Sequence, residues 1–247
     1  MSDKENFEAL KPKYLLIEQD DIKDPNMPVK IFNDEAVFLF DIASEDKDQL
    51  VTSGLDISLI DDIPNRVSAL RYSQSIWNKV LDNKSEKENQ WKAIAAEGFE
   101  LKEEIMHFAK YAYRENESIM RALKRIEEGA SNADMIQDLS DLAVIGKDDP
   151  TPMDGVGFNT TKLDRAEQIA TEGGLLLGDI NGDRRNVIHP EKEMRDRAYT
   201  YLKQAIDTIR DAGKFVFWKN QKRAEQYASS YMREMRNRSE QEETQNA

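Results

Sequence analysis

The 247-residue chain contains no cysteine. A disulfide framework and a thiolate metal site are therefore excluded, and the composition fits a reducing compartment. Residues 1–14 lack the apolar stretch of a secretion signal, and the longest apolar runs, such as 36–40, are far too short to span a bilayer. We expect a cytoplasmic protein without a transmembrane segment, or a component of an assembly that leaves the cell without such a signal.

Histidine is scarce, with His107 and His189 as its two occurrences, and neither lies in a catalytic motif. His107 completes a Glu-x-x-His pattern with Glu104, which di-iron helical bundles carry on two helices. The corresponding positions of the second half of the chain hold Thr208 and Asp211. The pattern thus occurs on one helix instead of two. A metal-binding or enzymatic site around Glu104 and His107 is the alternative prediction. No catalytic residue, metal ligand or cofactor is assigned. The sequence favours a protein that is not an enzyme.

Positive charge is in deficit, because the chain carries 35 Lys and Arg against 48 Asp and Glu and has a net charge of −13. Nucleic-acid binding needs clustered basic residues, so a nucleic-acid partner is not expected. The charge is also uneven: residues 1–62 have a net charge of −10 and residues 191–238 a net charge of +5. These are either solvated helix faces or two ends that attract each other, within one molecule or between neighbours.

The two halves of the chain resemble each other. Ile105 and Lys110 align with Ile209 and Lys214 at an offset of 104 residues. Three segments match in the same order at offsets of 100 to 104, namely 41–49 with 141–149, 54–63 with 157–166, and 103–117 with 207–221. Their order and nearly constant offset predict a tandem duplication of a unit of about a hundred residues, the size of a small domain.

Apolar residues recur with a period of 3.6 and strand alternation is scarce, which predicts a mainly α protein built from two helical bundles. We expect an extended acidic arm over residues 1–32, helical units over 33–130 and 131–238, and a frayed, disordered tail over 239–247. Within the units the expected helix caps are Asn33, Asn132, Asp56 and Asn159, and the expected loops are 82–87 and 178–189.

One apolar stretch, Phe215 to Trp218, stands among charged residues. Because Phe215 and Phe217 align with Tyr111 and Tyr113, they are expected to be mostly buried as part of the repeated architecture. Trp218 aligns with Arg114, so it is special to one copy and is the candidate contact residue.

These features predict a non-catalytic structural or protein-interaction protein. Its partner is expected to be another protein, a second copy of itself or the other components of a larger assembly, and Trp218 is its candidate interaction residue.

Overall fold

In the computed structural model, which describes residues 1–185 and 189–245, the chain is mainly helical and those residues contain no strand. The predicted fold class is confirmed at this level. The helices are α1 (Asp3–Leu15), α2 (Val29–Glu45), α3 (Lys47–Thr52), α4 (Ile57–Asp61), α5 (Ile63–Ala112), α6 (Glu117–Glu127), α7 (Asn132–Asp148), α8 (Thr151–Gly155), α9 (Thr161–Arg185), α10 (Pro190–Val216), α11 (Gln221–Gln226) and α12 (Ser230–Gln245).

The helices form two compact units. The first consists of Met1–Val80 and Ile188–Ala247, and the second of Leu81–Val187. Helix α5 supplies residues 63–80 to the first unit and 81–112 to the second. Each compact unit contains residues from both predicted helical units, 33–130 and 131–238. The predicted boundaries therefore remain a hypothesis about repeats in the sequence.

The N-terminal segment is not the extended arm that we expected, because residues 3–15 form α1. Its start is a capping box in which the Ser2 hydroxyl accepts from the Glu5 N–H and the Glu5 carboxylate accepts from the Ser2 N–H, at 3.3 and 2.7 Å. Phe7, Leu10 and Tyr14 lie on one face of this helix and are buried. Their spacing of three and four residues is helical, and the neighbouring prolines concealed it.

Other boundaries also differ from the prediction. Helix α2 begins four residues before Asn33, so Asn33 is buried inside the helix and caps nothing. The predicted loop at 82–87 is wrong, because α5 runs through it without a glycine or proline between residues 65 and 97. Helix α9 extends to Arg185, well into the second predicted loop, and α12 continues the helical structure to Gln245, into the predicted tail.

Two turns, one in each unit, are built in the same way. Gly54 and Gly157 have φ of +96° and +79°, which glycine adopts without strain. The next residues, Leu55 and Phe158, are buried, and their N–H groups donate to carbonyls five residues back, both at 3.1 Å. This pattern ends a helix in a Schellman motif.

Each turn is followed by the predicted cap. The Asp56 carboxylate accepts from the Ser58 N–H at 2.9 Å, and the Asn159 side chain accepts from the Thr161 N–H at 3.1 Å. The first therefore caps α4 as predicted, and the second bonds to the first residue of α9. At Asn132 the cap is instead the preceding Ser131.

In the first unit α10 packs against α1, α2, α3, α4 and α11 around a core that includes Leu39, Leu70, Leu202 and Ile206. The acidic front and the basic last helices form ion pairs here, which confirms that they attract each other within the chain. The best buried is Glu35 with Arg210 at 2.7 Å, and the others join Asp24 to Lys192 and both Glu45 and Asp46 to Arg223.

The second unit has its own buried core. Helices α5, α6, α7 and α9 contribute to it, and α7 packs along α9. The core side chains include Ile105, Leu123, Leu139, Leu163 and Ile169.

Candidate interaction surface

The end of α10 is fixed by a close contact at Gly213. The ring of Tyr227 lies directly against this glycine, so that a Cβ atom added there would stand 2.0 Å from the Tyr227 Cδ1 atom. The Phe217 N–H donates to the Gly213 carbonyl at 2.9 Å and closes the last turn of the helix. Asn220 then begins α11, since its side chain accepts from the Arg223 N–H at 3.2 Å.

Tyr227 is itself held by a buried hydrogen bond. Its hydroxyl donates to the Asp46 Oδ2 atom at 2.7 Å, and Asp46 also accepts from the Arg223 guanidinium at 2.7 Å. Burial, and the hydrogen bond to Asp46, raise the pKa of Tyr227 well above its usual range. The phenol therefore stays protonated and keeps donating, which gives the end of α10 a rigid base.

Phe217 packs onto this base, with its ring stacked on Tyr227 at 5.8 Å between centroids. The other two aromatic side chains of the stretch do not pack there: Phe215 is 71% exposed and Trp218 is 72% exposed. The expected burial of Phe215 is therefore wrong, Phe217 is partly buried, and Trp218 is exposed as predicted but no more so than Phe215. Residues two apart on a helix point about 200° apart, so a side chain at 217 that faces the core leaves the one at 215 facing solvent.

A lysine follows or precedes each of the two exposed aromatic residues in the chain. Lys214 lies 3.8 Å from Asp211, and the Lys219 ammonium lies 4.8 Å from the centre of the Trp218 ring. In the described part of the chain, no carboxylate comes within ion-pairing distance of Lys219, or of Lys222 three residues further on. We call the exposed side chains of Phe215, Trp218, Lys219 and Lys222 the aromatic tip.

The end of α5, in the second unit, has the same alternation. Tyr113 is buried, and its hydroxyl donates to the Asp149 carbonyl at 2.6 Å. Burial raises the pKa of Tyr113 to about 12. Tyr111 is 62% exposed, and the Arg114 guanidinium covers its ring at 4.5 Å.

Beside Tyr111 lies a groove of about 960 Å³, which we call the α5 groove. Its apolar lining comes from Phe99, Met106 and Tyr111, and its charged lining includes Glu100 and Glu103. Two further charges of the lining are neutralised, because Lys102 binds Asp138 and Lys110 binds Glu127 at 2.6 Å. Neither Glu100 nor Glu103 has a cationic partner within ion-pairing distance among the residues described.

The residues of the alternative metal site are engaged in other ways. Both carboxylate oxygens of Glu104 accept hydrogen bonds from the Lys162 ammonium. His107 lines the α5 groove, and its ring meets Phe108 edge to face at 5.6 Å. Within residues 1–185 and 189–245 no group of three or more His, Asp or Glu side chains is placed to hold a metal ion.

The sequence did not predict the exposure of Phe215 or the presence of the α5 groove. The available signal for the groove was the spacing of Phe99, Glu103, Met106 and Lys110, which places them on one side of α5. Met106 borders the core and is 7% exposed, whereas Phe99 is 39% exposed, and only the packing reveals that this side of α5 stays partly open.

Among the described residues, no helix is both long and apolar enough to cross a membrane. Comparison of the chain with models of protein families, with curated proteins and with solved structures finds no match.

Proposed function

We propose that this protein is a non-catalytic protein-interaction component, and that the aromatic tip is the surface with which it binds its partner. The observation that carries this proposal is the exposure of Phe215 and Trp218, at 71% and 72%, three residues apart at the C-terminal end of α10. Exposed aromatic side chains are disfavoured in water, and tryptophan in particular dominates the energetics of protein interfaces.

The rigid base of the tip supports the same function. Gly213, Phe217 and Tyr227 pack against one another, and Tyr227 is tied to Asp46. A contact surface that is fixed before binding loses little conformational entropy on association. Lys219 and Lys222, which lack a carboxylate partner in the described part of the chain, favour a partner with an acidic surface.

The proposed tandem duplication is supported by matching details of the two units. The Schellman turns at Gly54 and Gly157 are 103 residues apart, and both are followed by an Asx side chain that accepts from the chain two residues on. Tyr111 is exposed and Tyr113 is buried, and in the same way Phe215 is exposed and Phe217 is partly buried.

If the duplication is real, α2 to α6 belong to the first repeat and α7 to α12 to the second, and each compact unit contains helices from both repeats. The first unit combines α2 to α4 and the start of α5 with α10 and α11, which belong to opposite repeats. The second unit combines the end of α5 and α6 with α7 to α9 in the same way. Such an exchange is the arrangement of a domain-swapped dimer whose two copies became one chain.

A cytoplasmic location stays a prediction from the composition.

A photo-crosslinking experiment tests the function. A benzophenone amino acid replaces Phe215 in the full chain, and the protein is exposed to light in extracts of its source cells. We expect a discrete adduct with one protein, which is either a second copy or another protein and is then confirmed with purified components. Leu175, 72% exposed on α9, is the matched control position. Equal labelling from both positions, or none from either, would refute the proposal.

A further inference from the structure

We infer that the partner of the aromatic tip is a second copy of this chain, in which the α5 groove receives the tip. The inference rests on the proposed function, because it needs the tip to be a binding surface. It adds the identity of the partner and the place where the tip binds.

The two surfaces match in chemistry. The tip presents two aromatic rings, and the groove presents Phe99, Met106 and Tyr111 with a volume of about 960 Å³. A groove of this size exceeds what two aromatic side chains fill, so both rings have room in it. Burying two large aromatic side chains removes several hundred Å² of apolar surface from water, which is the main driving force for association.

The aromatic tip and the α5 groove each carry two charges without an ion-pair partner among the described residues, and the two pairs of charges are opposite in sign. Lys219 and Lys222 at the tip lack a carboxylate partner, and Glu100 and Glu103 at the groove lack a cationic one, among the residues that the structure describes. Glu100 and Glu103 are three residues apart on α5 and therefore neighbours on one side of it. Opposite charges at the rim of a contact fix its orientation and raise the rate of encounter.

A contact between two different surfaces of the same molecule is heterologous. Each copy that binds through its tip still has a free groove, and each copy that binds through its groove still has a free tip. Such a contact closes into a ring or continues as an open chain, rather than stopping at a twofold dimer.

The decisive experiment mixes two purified full-length variants and measures their mass by sedimentation velocity. The tip variant carries Phe215→Ser and Trp218→Ser, and the groove variant carries Glu100→Lys and Glu103→Lys. The native protein is expected to form species larger than a dimer, and each variant alone is expected to be a monomer. Their equimolar mixture should form a one-to-one dimer and stop there, because the groove variant supplies the only intact tip and the tip variant the only intact groove.

Each variant should weaken association at least about thirtyfold, the loss that removal of a dominant interface residue produces. Leu175→Ser is the control, since it removes an equally exposed apolar side chain that lines neither surface, and it should associate like the native protein. Circular dichroism confirms that every variant is folded.

Charge exchange provides a second measurement that does not depend on removing aromatic rings. A variant with Lys219→Glu and Lys222→Glu should be monomeric alone but should form long species with the Glu100→Lys, Glu103→Lys variant, because both contacts are then complementary again.

The inference is overturned if the native chain stays monomeric at millimolar concentration, if the groove variant associates like the native chain, or if neither mixture assembles. In any of these cases a crosslink from position 215 to a different protein would still uphold the proposed function. An absence of crosslinks would remove both proposals together.

Discussion

Gly213 shows how one missing side chain shapes the end of α10. An alanine Cβ there would stand 2.0 Å from Tyr227, whose ring is buried and tied to Asp46. We therefore expect Gly213→Ala to lower the free energy of unfolding by about 2–3 kcal/mol, as overpacking does. Urea denaturation measures it.

Gly182 is the control for this substitution. It also lies in a helix, α9, but a Cβ atom added there would meet nothing within 4 Å. Gly182→Ala should therefore stabilise the protein by about 0.5–1 kcal/mol, because alanine loses less backbone entropy in a helix. Equal effects of both changes would show that the contact at Gly213 is not tight.

Glu35 is an ionisable residue of the first unit that forms a well-buried ion pair, with Arg210. Burial alone would raise its pKa, but hydrogen bonds from the Tyr231 N–H, Arg210, Ser229 and Ser230 outweigh burial and hold the pKa of Glu35 below its ordinary value. A lowered pKa means that the stabilisation is present above the ordinary value of about 4.3 and is lost as the pH falls through the native value.

We expect Glu35→Gln to cost about 2 kcal/mol near pH 6, because it leaves Arg210 without its charge partner. The difference from the native protein should shrink as the pH falls below the ordinary glutamate value of about 4.3 towards the lower pKa of native Glu35, because the stabilisation by its charge is lost over that range. Urea denaturation at pH 6 and at pH 3.5 measures both values.

Asp207→Asn is the control for Glu35, because Asp207 makes an exposed i, i+4 pair with Lys203 at 2.6 Å. It should cost less than about 0.5 kcal/mol. A pH-independent cost at Glu35 would mean that its charge contributes nothing to stability.

At the scale of the element, α1 belongs to the core of the first unit. Phe7 packs against Tyr14 and Tyr72, and the Asn6 amide donates to the Ser68 hydroxyl at 3.0 Å. Phe7→Ala should therefore destabilise the protein by about 3–4 kcal/mol. Leu16→Ala, at a position 81% exposed just beyond α1, should cost less than about 0.5 kcal/mol. A small loss in both variants, measured by chemical denaturation, would show instead that α1 is a loosely attached arm.

Helix α5 owes its length of 50 residues to local sequence. The stretch from 82 to 90 is polar and largely exposed, so packing does little to hold it. Strong helix formers such as Glu, Lys and Gln predominate there, with no glycine or proline. Lys87 adds ion pairs to Asp179 and Asp183 of α9 at 3.4 and 3.5 Å. Polarity alone had suggested a loop, but propensity was the better guide.

On the scale of the whole molecule, the two units have separate buried cores. Leu139→Ala removes a fully buried side chain from the second. We expect it to raise amide hydrogen exchange in α7 and α9 by two to three orders of magnitude, which corresponds to about 3–4 kcal/mol of local stability. Exchange in α2 and α10 should change far less.

Leu39→Ala is the reciprocal variant, with its fully buried side chain in the first core. It should affect α2 and α10 and spare α7 and α9. A uniform rise across both units in either variant would mean that the whole chain unfolds as one cooperative block.

The sequence by itself determined the helical class, the cap of α4 at Asp56 and the uneven distribution of charge along the chain. These depend on periodicity, on backbone chemistry within a few residues and on composition, all of which are local. It also predicted the exposure of Trp218, because the aligned position of the first half holds Arg114 instead of an aromatic residue.

Tertiary structure alone decided which helices share a core, and thereby which aromatic side chains are exposed. Phe215 and Phe217 have the same local sequence character, yet Tyr227 covers only the second. The pairing of Glu35 with Arg210 joins residues 175 positions apart, and the charge counts predicted an attraction but not its partners. Contacts of this kind depend on how helices distant in the chain pack together, and no pattern within one helix specifies that choice.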